Sequence, residues 1–347
     1  MSPVPAFIVT GFLGAGKTTL LRRLIEGAST RRFAVIVNEF GEMGFDGELI
    51  ETCCQDVVEL KNGCVCCRVG DDLVPTLESV LDREFPPDAI LIETSGLALP
   101  QPVVEAFRFP TLRGRASVAG VVVVADGPMI ASGTFDGVLE SLKSPPSLEP
   151  RRASALHGGG APEDDPIGEV FEDQLRAADL VVLSKGDALD EHALERLHAV
   201  LRDSLPGEVA LARASHGALD ADTILTLAAA AEERLARRPS RHALEGPDHS
   251  HDDFEGAVVE GGAVDRAAFE ARVAEAVKAF GLLRAKGFVA VEGGARRFLL
   301  QSTPTSTTTV ADRAWTERDD RRTRLVVIGP KGLALTRIQH AFFGDRA

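Results

Sequence analysis

The chain has 347 residues, 44% hydrophobic and 26% charged, the make-up of an ordinary globular protein with room for one large domain and a smaller one. Its net charge of −14, with no dense Lys/Arg patch, opposes nucleic-acid phosphates and anionic lipid, so neither is an expected partner. The longest apolar stretch, 118–124, is too short to span a bilayer, and the start lacks a signal-peptide pattern, so a cytoplasmic location is expected.

Ala6–Val9 reads as the first strand, and Thr18–Glu26 as the first helix. Between them, Gly11-Phe12-Leu13-Gly14-Ala15-Gly16-Lys17-Thr18 fits G-x-x-x-x-G-K-[ST] at every fixed position. Glycines let the backbone curl so that N–H groups of Gly11, Gly14, Ala15 and Gly16 turn toward phosphate oxygens, and the helix N-terminus adds partial positive charge. Lys17 is expected to bridge the β- and γ-phosphates, Thr18 to ligate Mg²⁺, and Thr19 to contact the α-phosphate.

Phe33–Val37 is the second predicted strand, and Asn38-Glu39-Phe40-Gly41-Glu42 follows where a first switch would lie. Glu39 is a candidate to ligate metal, touch Mg²⁺ or orient water, while Glu42 is either a further ligand or a solvated surface acid. After the third strand, Val57–Leu60, comes Asn62-Gly63-Cys64-Val65-Cys66-Cys67. All five cysteines (Cys53, Cys54, Cys64, Cys66 and Cys67) fall in one window, whereas a disulfide framework would spread them to close long loops. Cys64, Cys66 and Cys67 can converge on one ion, and thiolates favour Co²⁺, Zn²⁺ or Cu(I) over Mg²⁺. A buried thiol cluster is the plain alternative, and Cys53 and Cys54 suit packing as well as ligation.

A helix is predicted over Asp71–Arg83 and a strand over Ala89–Ile92. That strand delivers Glu93 to the carboxyl edge of a sheet, placed for the Mg²⁺ shell or the attacking water, and Gly96 lets the backbone approach a γ-phosphate. Val118–Val124 is the fifth strand. Residues 144–166 lack any period and read as a surface insertion. A helix over Gly168–Ala178 and a strand over Leu180–Leu183 lead into Ser184-Lys185-Gly186-Asp187, which resembles the N-K-x-D element that reads guanine. Asp187 can accept hydrogen bonds from guanine N1 and N2, donors that adenine does not offer, and Lys185 can lie along the base. Ser184 in place of Asn removes one contact, and GTP is expected over ATP. Helix Glu191–Ser204, strand Val209–Leu211 and helix Ala221–Arg237 complete a doubly wound, mostly parallel α/β domain over 1–237.

The polar stretch 238–253 reads as a linker, in which His249 and His251 among carboxylates either capture a divalent ion or are simply solvated. Beyond it, 254–347 carry a strand (Gly256–Glu260), a helix (Arg266–Phe280), a hairpin (Gly287–Glu292 and Arg296–Leu300), a strand (Arg324–Ile328) and a short last helix. That is a small α+β domain.

Together these pieces resemble the CobW family of metal-handling P-loop GTPases. The matching segments are GFLGAGKTTL (11–20), VNEFGEMGFD (37–46), VELKNGCVCC (58–67) and ILIETSGLALP (90–100), with the acidic-histidine linker and the small C-terminal domain. Departures are Ser184, Arg68 where Thr is frequent, a sparse His linker and the extra Cys53-Cys54 pair. Segments 93–102 and 171–175 look more like the cobalamin-biosynthesis branch than the zinc branch. The resemblance implies a GTPase working through Lys17, Glu93 and Glu39 with GTP, Mg²⁺ and Co²⁺ (or Zn²⁺). It implies a metallochaperone that loads Co(II) on Cys64, Cys66 and Cys67 with Mg-GTP bound and, on hydrolysis, delivers it to a client metalloenzyme, the cobaltochelatase of cobalamin biosynthesis. Three rivals remain: the same machine carrying zinc, a P-loop small-molecule kinase with a structural metal, and a metal sensor with an idle nucleotide site.

Overall fold

Short runs that are apolar at nearly every position leave neither face of a strand for water. In the computed structural model, which describes residues 3–27, 31–37, 57–59, 72–145, 166–214, 254–316 and 319–344, such runs become one seven-stranded sheet. Its strands are β1 (Val4–Thr10), β2 (Phe33–Val37), β3 (Val57–Glu59), β4 (Ala89–Glu93), β5 (Ala116–Asp126), β6 (Leu180–Ser184) and β7 (Ala210–Arg213). The order is β3-β2-β4-β1-β5-β6-β7, and each neighbouring pair is parallel. From β1 the chain builds first to one side, through β4, and then to the other, from β5. The crevice beyond the carboxyl end of β1 is therefore the topological switch point, where ligands gather in open α/β sheets.

Parallel strands need crossovers. The described helices are α1 (Lys17–Gly27), α2 (Val74–Leu81), α3 (Pro100–Ala106), α4 (Gly127–Ala131), α5 (Asp136–Ser141), α6 (Pro166–Ala177) and α7 (Glu191–Ser204). Leu20, Leu21, Leu24 and Ile25 form the apolar stripe of α1 and pack with Phe7 and Val9 of β1, Val35 of β2, Leu91 of β4 and Val124 of β5. Each such buried side chain contributes about 1.5–3 kcal/mol of transfer free energy. α3, α4 and α5 were not anticipated from sequence, because helices of five to seven residues show too little periodicity. Local chemistry starts two of them: Pro100 opens α3, and the Asp126 side chain caps α4 by accepting from Met129 N–H.

Residues 254–344 make a second compact unit. β8 (Phe254–Gly261), β9 (Arg284–Ala290), β10 (Arg296–Thr303), β11 (Ser306–Ala314) and β12 (Thr323–Pro330) form an antiparallel sheet in the order β11-β10-β9-β12-β8. α8 (Arg266–Ala279), capped by Asp265, and α9 (Leu335–Phe343) cover its apolar positions through Phe269, Val273, Ile338 and Phe342. Sequence reading missed β11, since Ser306-Thr307-Thr308-Thr309 carries no apolar alternation and the strand is a largely exposed edge that, among the described residues, pairs only with β10. The expected helix Ala221–Arg237, the linker 238–253 and most of the 144–166 insertion lie outside the described residues. No described helix is long and apolar enough to cross a membrane.

Candidate functional site

Between β1 and α1 the chain passes through Gly11, Gly14 and Gly16 at φ of +133°, +76° and +98°, a region that L side chains rarely enter. At Gly11 space is also decisive, because a Cβ there would lie 2.2 Å from the Val124 carbonyl oxygen of β5. The loop is thus pressed against the neighbouring strand and its curl is fixed. Lys17 is buried, and its ammonium donates to the carbonyls of Gly11 at 2.8 Å and Phe12 at 3.2 Å, which holds the charge to the loop. α1 begins at Lys17, so its first-turn N–H groups and the positive end of its dipole meet whatever the loop encloses.

The parallel register brings β4 to the same place. Val9 of β1 pairs with Glu93, whose carboxylate is 3% exposed and accepts from the Thr18 hydroxyl at 2.9 Å. Thr94 ties the two strand ends together, its N–H donating to Val9 O at 3.0 Å and its hydroxyl to Thr10 Oγ1 at 2.8 Å. A hydroxyl and a carboxylate side by side are hard oxygen donors, suited to Mg²⁺ rather than to a soft ion. Gly96 follows, so close to the loop that an added Cβ would lie 2.6 Å from Leu13 N.

On the other side, β5 and β6 end at Asp126 and Ser184, which are register partners. The Ser184 hydroxyl lies 2.7 Å from Ala15 O and 3.1 Å from Ala125 O, joining the glycine loop to β5 and β6. Sequence reading counted Ser184 as a lost contact; the shorter side chain makes this bridge. Lys185 has φ of +55°, the one non-glycine residue among those described with positive φ, and such left-handed backbone costs about 1–2 kcal/mol. Its ammonium is held 2.6 Å from Asp126 Oδ2, while Asp126 Oδ1 caps α4. A cleft of about 140 Å³ runs from Ala15, Gly16 and Thr19 to Ser184, Lys185 and Asp187, with apolar walls from Leu20, Val124, Val182 and Ala214.

The structure therefore gathers Gly11, Gly14, Ala15, Gly16, Lys17, Thr18, Thr19, Glu93, Gly96, Ser184, Lys185 and Asp187 at one carboxyl edge. Glu39, Glu42, Cys53, Cys54, Cys64, Cys66, Cys67, His249 and His251 lie outside the described residues. Among the described residues no cluster of three or more His, Cys, Asp or Glu side chains could hold a metal ion.

Two family models match the chain: the CobW/HypB/UreG nucleotide-binding domain over residues 5–210, and the cobalamin synthesis protein cobW C-terminal domain over 257–343. A zinc chaperone CobW from a Sinorhizobium species is 40% identical over 336 residues, spanning 94% of this chain and 92% of that relative. The protein of the same name from Pseudomonas aeruginosa is 42% identical over 343 residues, spanning 95% and 88%. The chain belongs to the CobW family of P-loop GTPases. A crystal structure of Zn(II)-bound YjiA GTPase from E. coli aligns over all of both chains at 24% identity and a TM-score of 0.41.

In this CobW-family GTPase, sequence reasoning overlooked two residues of the cleft region. Asp126 was hidden at the end of a long apolar strand, where a single carboxylate reads as a turn. Ala214 lines the cleft with only a methyl group, and nothing in the sequence marks it. Gly11→Ala is expected to lower affinity for a fluorescent GDP analogue at least about tenfold with the fold retained, since a Cβ forces the loop off β5. Unchanged affinity by fluorescence titration would show that the curl at Gly11 is dispensable.

Proposed function

We propose that this GTPase is a metallochaperone that loads a divalent metal on Cys64, Cys66 and Cys67 in the Mg-GTP state and releases it on hydrolysis. The observation that carries this reading is the parallel sheet edge. β3 ends at Glu59 on the same edge as β1 and β4, and lies two strands from β4 in the sheet order. Two strand spacings are about 10 Å. From Glu59 five residues lead to Cys64, a reach of up to about 17 Å. Covalent geometry therefore permits the thiols to approach Thr18 and Glu93.

Lys17, anchored on Gly11 and Phe12, is the cation for the β- and γ-phosphates, and Asp187 is the acceptor for guanine. Mg²⁺, held by Thr18 with Glu93 beside it, would neutralise charge on the phosphate oxygens. Glu93, or Glu39 from the first switch, orients the attacking water. A small-molecule kinase of this architecture would have no use for the Lys185/Asp187 pair.

Zinc is the favoured cargo, because relatives at 40% and 42% identity are named zinc chaperones and zinc outcompetes cobalt at a thiolate site. A second reading, Co(II) delivered to the cobaltochelatase, draws on the cobalamin-synthesis description of the matching C-terminal model and on segments 93–102 and 171–175. The client is a metalloenzyme in either case.

Zn(II) titration of the apo, Mg-GDP and non-hydrolysable Mg-GTP-analogue forms is expected to show affinity at least about fivefold higher in the last. In competition in that state, Co(II) displacing Zn(II) against the usual affinity order would favour the cobalt reading. Cys66→Ala is expected to remove the Co(II)–thiolate absorbance, and equal affinity in all three forms would end the coupling. For the base, Asp187→Asn offers one donor and one acceptor in place of two acceptors. GTP turnover is expected to fall about a hundredfold and XTP turnover to rise, and retained GTP preference in steady-state assays would remove Asp187 from base reading.

A further inference from the structure

Helix α6 carries three consecutive polar residues, Glu172, Asp173 and Gln174, each at most 3% exposed. Glu172 is accounted for by an ion pair with Arg176 at 2.8 Å. Gln174 has a different destination. It stands three residues after Phe171 and just before Leu175, on a stripe that is otherwise buried and apolar. One end of its amide lies 3.2 Å from Gly96 O and 3.2 Å from Ala98 O. Two carbonyl oxygens identify that end as the NH₂ group, with one hydrogen for each. The other end, Oε1, is buried without a hydrogen-bond partner among the described residues. A methionine would fill the same space and leave no orphaned acceptor, so packing does not explain an amide here.

We propose that Gln174 is a positioning residue for GTP hydrolysis, clamping the segment after Glu93 so that the Gly96 amide faces the glycine loop. Both peptide planes around Gly96 are set by their oxygens. Ser95 O accepts from Ala98 N–H at 3.1 Å, and Gly96 O accepts from Gln174. The Gly96 N–H shares a peptide plane with Ser95 O, the Gln174 bonds to Gly96 O and Ala98 O hold the segment that follows, and Gly96 itself has no room for a Cβ beside Leu13.

The clamp is itself referenced to the glycine loop. Phe171, one helical turn before Gln174, stacks on Phe135 with centroids 4.1 Å apart, and Phe135 meets the edge of Phe12 in the glycine loop at 5.9 Å. α6 therefore holds the two phosphate-facing segments in one frame, by aromatic packing on one and by an amide on the other. A segment that must answer the γ-phosphate needs a fixed rest position, and the clamp supplies it. This rests on the GTP-binding reading of the site.

The test is Gln174→Met in the full-length chain. The melting temperature is expected to stay near that of the wild type and GDP affinity within about twofold, because the GDP contacts of the glycine loop are untouched. Affinity for a non-hydrolysable GTP analogue and kcat for GTP are each expected to fall about tenfold, the effect of losing the two hydrogen bonds that orient the loop. A folded variant with an unchanged analogue-to-GDP affinity ratio and unchanged kcat overturns the proposal. If the variant does not fold, selectively ¹⁵N-labelled wild-type protein serves instead. The Gln174 side-chain amide signals are expected to shift between the Mg-GDP and Mg-GTP-analogue forms, and identical signals overturn the proposal. A wild-type chain that binds neither nucleotide would instead remove the GTP-binding reading.

Discussion

A hydroxyl at the start of α1 and a carboxylate at the end of β4, 2.9 Å apart, join two segments separated by 75 positions in the chain. That contact exists only because β1 and β4 are parallel neighbours whose register sets Val9 opposite Glu93. Sliding the register by one residue would turn Glu93 to the other face and leave a carboxylate buried in apolar core, at a cost of several kcal/mol. The apolar runs of β1 and β4 thus do more than fill the interior: their burial pattern locks the sheet that puts Thr18 beside Glu93.

Around this contact the glycine loop is braced from several sides. Gly11 has no clearance from Val124 of β5, Ala15 O lies against the Ser184 hydroxyl of β6, and Leu13 lies against Gly96 after β4. Each brace is a short, geometrically exact contact between backbone and a small or polar residue, which is what holds N–H groups in a fixed array. Asp126 steadies the far end of the cleft by capping α4 and holding the Lys185 ammonium, which offsets the cost of the left-handed backbone at Lys185. With so much of the phosphate side braced, the segments able to respond to nucleotide are those that follow strand ends, and the proposed first switch, the segment after Glu93 and the cysteine segment are of that kind. In the proposed coupling, whatever nucleotide does to those segments the metal must do to nucleotide in equal measure.

The features legible in the sequence were those written in consecutive residues. The phosphate loop announces itself because glycine spacing, lysine and threonine must be contiguous to work. Glu93 was legible from four apolar residues before it, and the parallel sheet from runs buried on both faces. What escaped depended on contacts made across the fold. Gln174 is 78 positions from Gly96, and Ser184 is 169 from Ala15, so neither partner is visible in a local window. Ser184 was read by comparison with the larger residue it replaces, whereas the hydroxyl suffices to reach a carbonyl that the fold has brought within 2.7 Å. The edge strand β11 escaped for another reason: an exposed strand of threonines has no hydrophobic period to read, and pairing with β10 alone defines it.

Thr18 and Glu93 act as one unit, and a double-mutant cycle on kcat/KM for GTP addresses that directly. Thr18→Val and Glu93→Gln are each expected to lower kcat/KM at least about a hundredfold, with the double variant less than about tenfold below the weaker single one. Losses that multiply, so that the double variant falls by the product of the two, would contradict it and make the two residues independent neighbours.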